Sequence, residues 1–410
     1  MHVLFLTDNF PPEVNAPASR THEHCKEWVK SGNTVSVITC VPNFPKGQVY
    51  EGYRNRLWQS EYIDGIHVIR VWSYITANEG FLKRTLDYIS FMFSAVIASC
   101  FVSKVDVVIG TSPQFFTVCA AYFVSIIKRI PWVFELRDIW PESIKAVGAL
   151  DDSYIIRFLE KIEIFLYKKS SLIVSVTQSF REDLVQRGID RDKIHVVTNG
   201  VDVKRFSPSS KDQELVKLLG LKDKFVVGYI GTHGLAHALK TVLDGAKRLQ
   251  KDNKNIDLCF ILLGDGANKA SLVQYAEKEN IENVLFVDSV AKEEVSRYWS
   301  LLDISVIHLK KTELFQTVIP SKLFECMAMG IPIAHGVEGE SAEIVIKQEV
   351  GLCFEPENVD SLCSVIEQLA SDEKLYFNLK ENGPKAASKY DRSKLAQEML
   401  EVIETAVISK

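Results

Sequence analysis

Short apolar runs alternate with amphipathic segments of helix length along most of the chain. In the first half, Val3–Thr7, Thr34–Thr39, Ile66–Val71, Val105–Ile109, Trp132–Glu135, Leu172–Val176 and Ile194–Val197 are rich in β-branched and aromatic residues and read as strands. Ala18–Ser31, Thr85–Ser103, Phe115–Lys128, Tyr154–Lys169 and Phe180–Arg187, lying between them, have the length of helices. Apolar strands separated by helices predict a parallel sheet covered on both faces. The pattern then restarts with Phe225–Ile230, Leu258–Leu263, Val284–Val287, Ile304–Ile307, Pro332–Ala334 and Gly351–Phe354. Between the two series, Thr198–Ser210 (TNGVDVKRFSPSS) is dense in turn formers and reads as the linker. The expected fold is therefore α/β, with two Rossmann-like, doubly wound domains at residues 1–200 and 201–389. Ligands in such folds sit beyond the carboxyl ends of the strands, so the chemistry is expected in a cleft where two such domains face each other. A last amphipathic segment, Tyr390–Ile408, carries Leu395, Met399, Val402, Ile403 and Ala406 at helical spacing, a pattern that fits a helix on either domain.

Composition narrows the picture. A chain of 410 residues is long for one core and short for three, and 47% hydrophobic with 25% charged residues excludes a disordered or fibrous chain. The net charge of −5 gives no basic excess of the kind that nucleic acid attracts. The charge is uneven, however. Up to Arg205 there are 24 Lys/Arg against 22 Asp/Glu, and beyond it 24 against 31, a balance of +2 and −7. Only the first domain is expected to meet an anionic surface. The eight cysteines lie scattered, mostly in apolar runs without a CxxC, and read as reduced core residues of a cytosolic protein.

The opening MHVLFLTDNFPP has too short an apolar run for a signal peptide and reads as a first strand. Phe81–Val102 approaches the length of a membrane span, but Asp87, Ser90, Ser94 and Ser99 interrupt it. It fits a helix largely buried against the sheet. With Lys83, Arg84 and Lys104 at its ends it also fits a helix lying in a membrane surface.

The stretch Pro320–Pro332 (PSKLFECMAMGIP) carries the most chemistry. Pro320 and Ser321 are helix openers, Gly330 is a stop and Pro332 prevents continuation. The free N–H groups and partial positive charge of such a helix start, at Ser321, Lys322 and Leu323, would cradle an anion such as a diphosphate. Glu325, on the same face as Lys322, would accept ribose hydroxyls. The same spacing also describes a plain surface Lys–Glu pair worth roughly 0.2–0.5 kcal/mol. GYIGTHG (Gly228–Gly234) follows a strand and would let backbone amides at Gly231, Thr232 and His233 approach a diphosphate, with Lys240 as the nearby cation. His233 and His237 have the i, i+4 spacing of a metal pair, but HGLAH lacks the glutamate of a zinc protease, and no metal is expected. His22, His24 and Cys25 read as an exposed helix rather than a site.

In the first domain, the loop Asp8–Arg20 (DNFPPEVNAPASR) follows the first strand, where Asn15 and Ala16 allow close approach of the backbone and Arg20 would face a phosphate or stand exposed. The segment Glu135–Glu142 (ELRDIWPE) packs three acids behind a strand. Paired carboxylates suggest a hydrolase; a salt-bridge network among Arg137, Asp138 and Glu142 is the structural alternative.

PSKLFECMAMGIPI resembles the motif of glycosyltransferase family 4, whose members have the GT-B fold of two Rossmann-like domains. TNGVD (Thr198–Asp202) is similar to that family's hinge, LLGDGANKASL (Leu262–Leu272) to its GDG loop, and Val284–Lys310 to its base-binding segment. The opening PPEVNAPASR and the segment ELRDIWPES look like bacterial O-antigen and surface-polysaccharide transferases of the WbuB type. The resemblance implies that Glu325 contacts the nucleotide ribose, that Gly264 and Gly266 line the donor site, and that the terminal helix 390–410 crosses back to the first domain. The glutamate that the family places nearer the sugar falls at Thr317 here. The family's His–Asp pair falls at Arg137 and Asp138, and its cations after the glycine loop reduce to Lys240.

The implied activity is a retaining hexosyl transfer from a UDP-sugar, with a UDP-N-acetylamino sugar and specifically UDP-N-acetyl-L-fucosamine as candidates. The acceptor would be an undecaprenyl-diphosphate saccharide in O-antigen or capsule synthesis, at the cytoplasmic face of the bacterial inner membrane. No cofactor is implied, since the UDP-sugar is a substrate. Asp138, Arg137 and Glu142 would act at the reacting sugar, where the leaving phosphate itself takes the acceptor's proton and the protein supplies charge stabilisation. A UDP-sugar epimerase of the same fold, and a non-catalytic membrane-bound assembly partner, are the readings from other classes.

Overall fold

The computed structural model describes residues 1–44, 46–76, 81–139, 154–252 and 256–408. The chain divides into two compact units, Met1–Thr198 with Arg392–Lys410, and Asn199–Asp391.

The first unit is built on β1 (His2–Leu6), β2 (Thr34–Cys40), β3 (Trp58–Ile63), β4 (Ile66–Val71), β5 (Val107–Thr111), β6 (Trp132–Leu136), β7 (Leu172–Ser175) and β8 (Ile194–Val196). They form one sheet in the order β3-β4-β2-β1-β5-β6-β7-β8, parallel except for β3. The central strands are buried on both faces because helices cover both, which is why they read as continuous apolar runs. One core lies under the helices Phe81–Ser99, Phe115–Lys128 and Tyr154–Lys169. The other lies under Ala16–Lys30 and the last helix, Arg392–Ile408.

That last helix corrects one expectation from the sequence. Leu395, Met399 and Ile403 enter the core, and the buried Trp28 donates from Nε1 to the Ala396 carbonyl at 2.7 Å. His24 and Cys25 are therefore buried rather than exposed, with His24 Nδ1 3.3 Å from the Met399 sulfur. The covering segment lies more than 300 residues along the chain, out of reach of any local pattern. The eight cysteines are all free, and six of them are buried.

The second unit holds β9 (Phe225–Ile230), β10 (Leu258–Leu263), β11 (Val284–Val287), β12 (Ile304–His308), β13 (Ile333–Gly336) and β14 (Gly351–Cys353). All are parallel, in the order β11-β10-β9-β12-β13-β14. The connections turn opposite ways from neighbouring central strands in each sheet. The reversal falls between β1 and β5 in the first unit and between β9 and β12 in the second. Loops leaving these strands diverge, so a crevice opens beyond their carboxyl ends.

Phe81–Ser99 is neither fully buried nor a span. Phe91, Ala95 and Ala98 pack into the core while Leu86, Phe93 and Ile97 face outward. No helix among the described residues is long and apolar enough to cross a membrane.

The fit of the last helix is testable. Ile403→Ala should destabilise the first unit by about 2–5 kcal/mol, the usual cost of emptying a fully buried aliphatic site. Denaturant unfolding followed by the fluorescence of Trp28 and Trp132 would measure it.

Candidate functional site

The crevice beyond β9 and β12 collects the second unit's chemistry. Gly231, whose φ of 147° suits glycine, follows β9, and the chain then continues beside the GDG loop in the same parallel direction. His233 N donates to the Asp265 carbonyl and Asn268 N to the His233 carbonyl, both at 2.9 Å. The two loops press so closely that a Cβ on Gly264 would stand 1.9 Å from the Gly231 carbonyl oxygen, so no side chain fits there. Lys269 closes the GDG loop by donating to the Gly264 carbonyl at 2.9 Å and pairing with Asp288.

The helix Lys322–Met329 starts beside these loops, and Gly330 ends it in the left-handed conformation. Ser321 already has helical backbone angles, and its hydroxyl makes no capping bond, so it opens the helix without capping it. Leu323 is buried in the core, and its amide is spent on the Pro320 carbonyl at 3.0 Å, so it anchors the helix start.

The Lys322 ammonium lies 3.7 Å from the centre of the Tyr229 ring and, among the described residues, has no hydrogen-bond partner. A Cβ on Gly231 would come within 2.7 Å of Nζ, so the glycine leaves room for the charge. Burial pushes the Lys322 pKa down to about 7. A cation–π contact is worth about 2 kcal/mol when desolvated. Beside it, His233 is buried, with both ring nitrogens unpartnered among the described residues. Burial, then the charges of Lys269 and Lys322, push its pKa down to about 4, so it is neutral at physiological pH. Glu325, one turn into the helix, accepts from the buried Trp299 indole at 3.1 Å, which fixes its carboxylate.

Two expected residues face elsewhere. Lys240 pairs with Asp244 at 2.8 Å and lies over the Tyr275 ring, because Asp244 is one turn along its own helix. Thr317, at the family's glutamate position, turns its hydroxyl back onto the Leu314 carbonyl.

In the first unit, Arg20 does not face the open loop. It is buried, with Nε on Glu135 at 2.9 Å and its other nitrogens on the Thr198 and Val197 carbonyls. Burial alone would raise the Glu135 pKa, but Arg20 and Arg137 outweigh it and hold the carboxyl below its usual range. Asn15 caps the helix Ala16–Lys30 by accepting from Ala18 N at 2.9 Å, and Ala16 begins that helix. The Arg137 and Asp138 amides both donate to the Ser112 hydroxyl, and Arg137 Nε and Nη1 are buried without partners among the described residues. Burial pushes the Arg137 pKa to about 10. Among the described residues Arg137 makes no ion pair with Asp138. Glu142 lies outside the described residues.

Comparison with known proteins places this geometry in context. Residues 210–386 match the family described as Glycosyl transferases group 1, and residues 18–205 match Glycosyltransferase Family 4. The chain is 23% identical over 384 residues to the putative colanic acid biosynthesis glycosyl transferase WcaI of Escherichia coli K12, covering 90% of this chain and 92% of that one. It is 26% identical over 244 residues, 58% of this chain and 61% of the other, to a Campylobacter jejuni protein. That protein is named N-acetylgalactosamine-N,N'-diacetylbacillosaminyl-diphospho-undecaprenol 4-alpha-N-acetylgalactosaminyltransferase. Among solved structures, Anabaena HepE in complex with UDP and glucose superposes with a TM-score of 0.73 at 17% identity, over 98% of this chain and 99% of that one.

The strain at Lys322 has a measurable sign. Between about pH 7 and the ordinary lysine value of 10.5, the unfolded chain holds a proton that the folded one lacks, so this group makes stability rise with pH across that window. Below pH 7 the fold carries the full cost. Lys322→Met should therefore stabilise the unliganded protein at pH 6, by about 1–4 kcal/mol, with a smaller gain at pH 9. Thermal denaturation at the two pH values would read it.

Proposed function

The chain belongs to glycosyltransferase family 4, the group 1 glycosyltransferases, and from that membership we propose that it carries out a retaining hexosyl transfer from a UDP-sugar to a lipid-linked saccharide. The second unit holds the donor. The observation that carries this reading is the unpartnered Lys322 ammonium beside two interlocked glycine loops and a helix start. A diphosphate there would supply the missing counter-charge and accept from the Ser321 and Lys322 amides. The Glu325 carboxylate, held by Trp299, would receive the ribose hydroxyls. HepE, bound to UDP and glucose, supports a uridine nucleotide.

Loss of the sugar leaves negative charge on the diphosphate, and a preplaced ammonium stabilises that charge more than it does the intact donor. Asp138 and Arg137 act at the sugar and acceptor. The transfer needs no divalent metal, since Lys322 and the helix start supply the positive charge. An N-acetylamino sugar, with UDP-N-acetyl-L-fucosamine the specific candidate, is passed to an undecaprenyl-diphosphate saccharide during bacterial surface-polysaccharide synthesis, in O-antigen or capsule. The named activity of the Campylobacter relative supports a lipid-linked acceptor.

The enzyme works as a peripheral protein at the cytoplasmic face of the inner membrane. Support comes from Phe93, Ile97 and Phe101, from Phe123, Ile126 and Ile127 on the neighbouring helix, and from Phe158 on the next, all exposed on the first unit. Lys83, Lys104 and Arg129 accompany them. Exposed apolar side chains among cations fit the interface of an anionic bilayer.

UDP, and not GDP, should raise the melting temperature of the wild type. Lys322→Met and Glu325→Ala should each weaken UDP binding roughly 10- to 100-fold, the value of one charge-assisted hydrogen bond, while remaining folded. EDTA should leave transfer unchanged. Unaltered UDP affinity in both variants would overturn the assignment. Separately, the protein should co-sediment with phosphatidylglycerol vesicles and less with phosphatidylcholine alone, and Phe101→Ser with Ile126→Ser should weaken that binding at least roughly tenfold.

A further inference from the structure

The Tyr229 ring, near the carboxyl end of β9, is the meeting point of three basic groups. Lys322 Nζ stands 3.7 Å from its centroid, and the rings of His233 and His237 lie 6.0 and 5.9 Å away. The phenol offers them only ring surface, since its hydroxyl is spent on the Thr232 carbonyl at 2.8 Å. The carboxylates of the neighbourhood are turned to other partners. Glu325 accepts from Trp299, Asp265 from the Gly266 amide and Asp288 from Lys269.

The two histidines differ. His233 is fully buried, whereas His237 is partly open to solvent, with Nδ1 buried and unpartnered among the described residues. Backbone contacts fix its position. Leu235–His237 forms a single tight turn, in which His237 N donates to the Gly234 carbonyl at 3.1 Å. Lys310 N, just beyond β12, ties that turn down by donating to the Ala236 carbonyl at 2.9 Å. Ala238 then takes the left-handed conformation at φ 44°, which strains any residue with a side chain. Strain of this kind persists only where the surroundings enforce it, and it collects at functional sites. The charged and titratable groups that bear on the His237 ring are Lys322 from the helix start, His233 from its own loop and His308 from β12. None of them is a carboxylate.

We propose that His237 is a second ligand of the donor diphosphate and binds it in the protonated form, so that each nucleotide draws one proton from solvent on binding and returns it on leaving. The proposal rests on the donor reading above and adds a titrating group to it. Burial first, then the charge of Lys322, push His237 down to about 4, so the ring is neutral in the free protein at physiological pH. A diphosphate between ring and ammonium would offset their repulsion and accept from the ring N–H, and both effects favour the charged form. Imidazole and one solvent proton become imidazolium, and no other bond changes. Between the free and bound midpoints, affinity for UDP therefore rises as pH falls. It levels off below about pH 4, where the free protein already holds the proton.

The test titrates the full-length protein with UDP by calorimetry at pH 6, in buffers of different ionisation enthalpy, which counts the protons taken up. At that pH Lys322, at about 7, already holds most of its proton, so the count reports the imidazole. The terminal phosphate of UDP also titrates at about pH 6, and its share cancels against the variant. The wild type should take up at least about half a proton more than His237→Gln, and the variant should bind UDP roughly 3- to 10-fold more weakly. With 13C label in the histidine rings of the wild type, the His237 midpoint should move from about 4 in the free protein to above about 6 with UDP bound. Equal uptake in the two proteins, unchanged UDP affinity in the variant, or a midpoint that UDP leaves unmoved would overturn the proposal. A wild type that fails to bind UDP would overturn the donor site and this proposal with it. Binding without the extra proton would overturn the role of His237 alone, so the two failures are distinguishable.

Discussion

A lysine ammonium enclosed without an ion-pair partner among the described residues is the feature around which the second unit is arranged. Lone buried cations are costly, and folds ordinarily pair or expel them. Here Gly231 has no side chain where one would strike Nζ, and the Tyr229 face offers the ammonium a partial partner. Gly264 lets the second loop close against the first. Each of these gives up local stability to hold open a positively charged space beside a helix start. Unmet charge at such a place is the mark of a site completed by its ligand.

The first unit uses its buried charges in both ways. Arg20 and Glu135 satisfy each other, and Arg20 also ties the first long helix to the carbonyls that end the unit. Breaking such a pair costs about 3–5 kcal/mol, so this one belongs to the scaffold. Arg137, two residues along from Glu135, keeps two buried N–H groups unpartnered among the described residues. The contrast separates two arginines that look equivalent in the sequence.

Much of this was legible beforehand, and the failures have physical causes. Strands buried on both faces announce themselves as apolar runs, so the central strands and the helices Phe115–Lys128 and Tyr154–Lys169 were readable from pattern alone. β3 was missed because its side chains alternate between half-buried and exposed at the sheet edge. The signal that would have found it is the Asp64-Gly65 pair, both at positive φ, which joins it to β4 as a tight hairpin. Lys322 and Glu325 stood out from spacing beside a helix start. That the ammonium is buried and the carboxylate is held by Trp299 depends on packing between distant segments. Arg20 failed as an expected phosphate ligand for the same reason, since nothing local foretold Glu135 as its partner, whereas Lys240 pairs locally with Asp244 one turn along its own helix. Gln114 meets Asp8 from 106 residues away and had no sequence signature, although Asp8 opens the loop singled out after the first strand.

The protonation state of Lys322 tests the central claim most directly. With 13C label in the lysine ε-methylene groups, its titration can be followed by NMR in the free protein and with UDP bound. The account predicts a midpoint near 7 in the free protein, moving upward by more than one pH unit when the diphosphate arrives. A midpoint at the ordinary lysine value in the free protein, or one that UDP leaves unmoved, would contradict it.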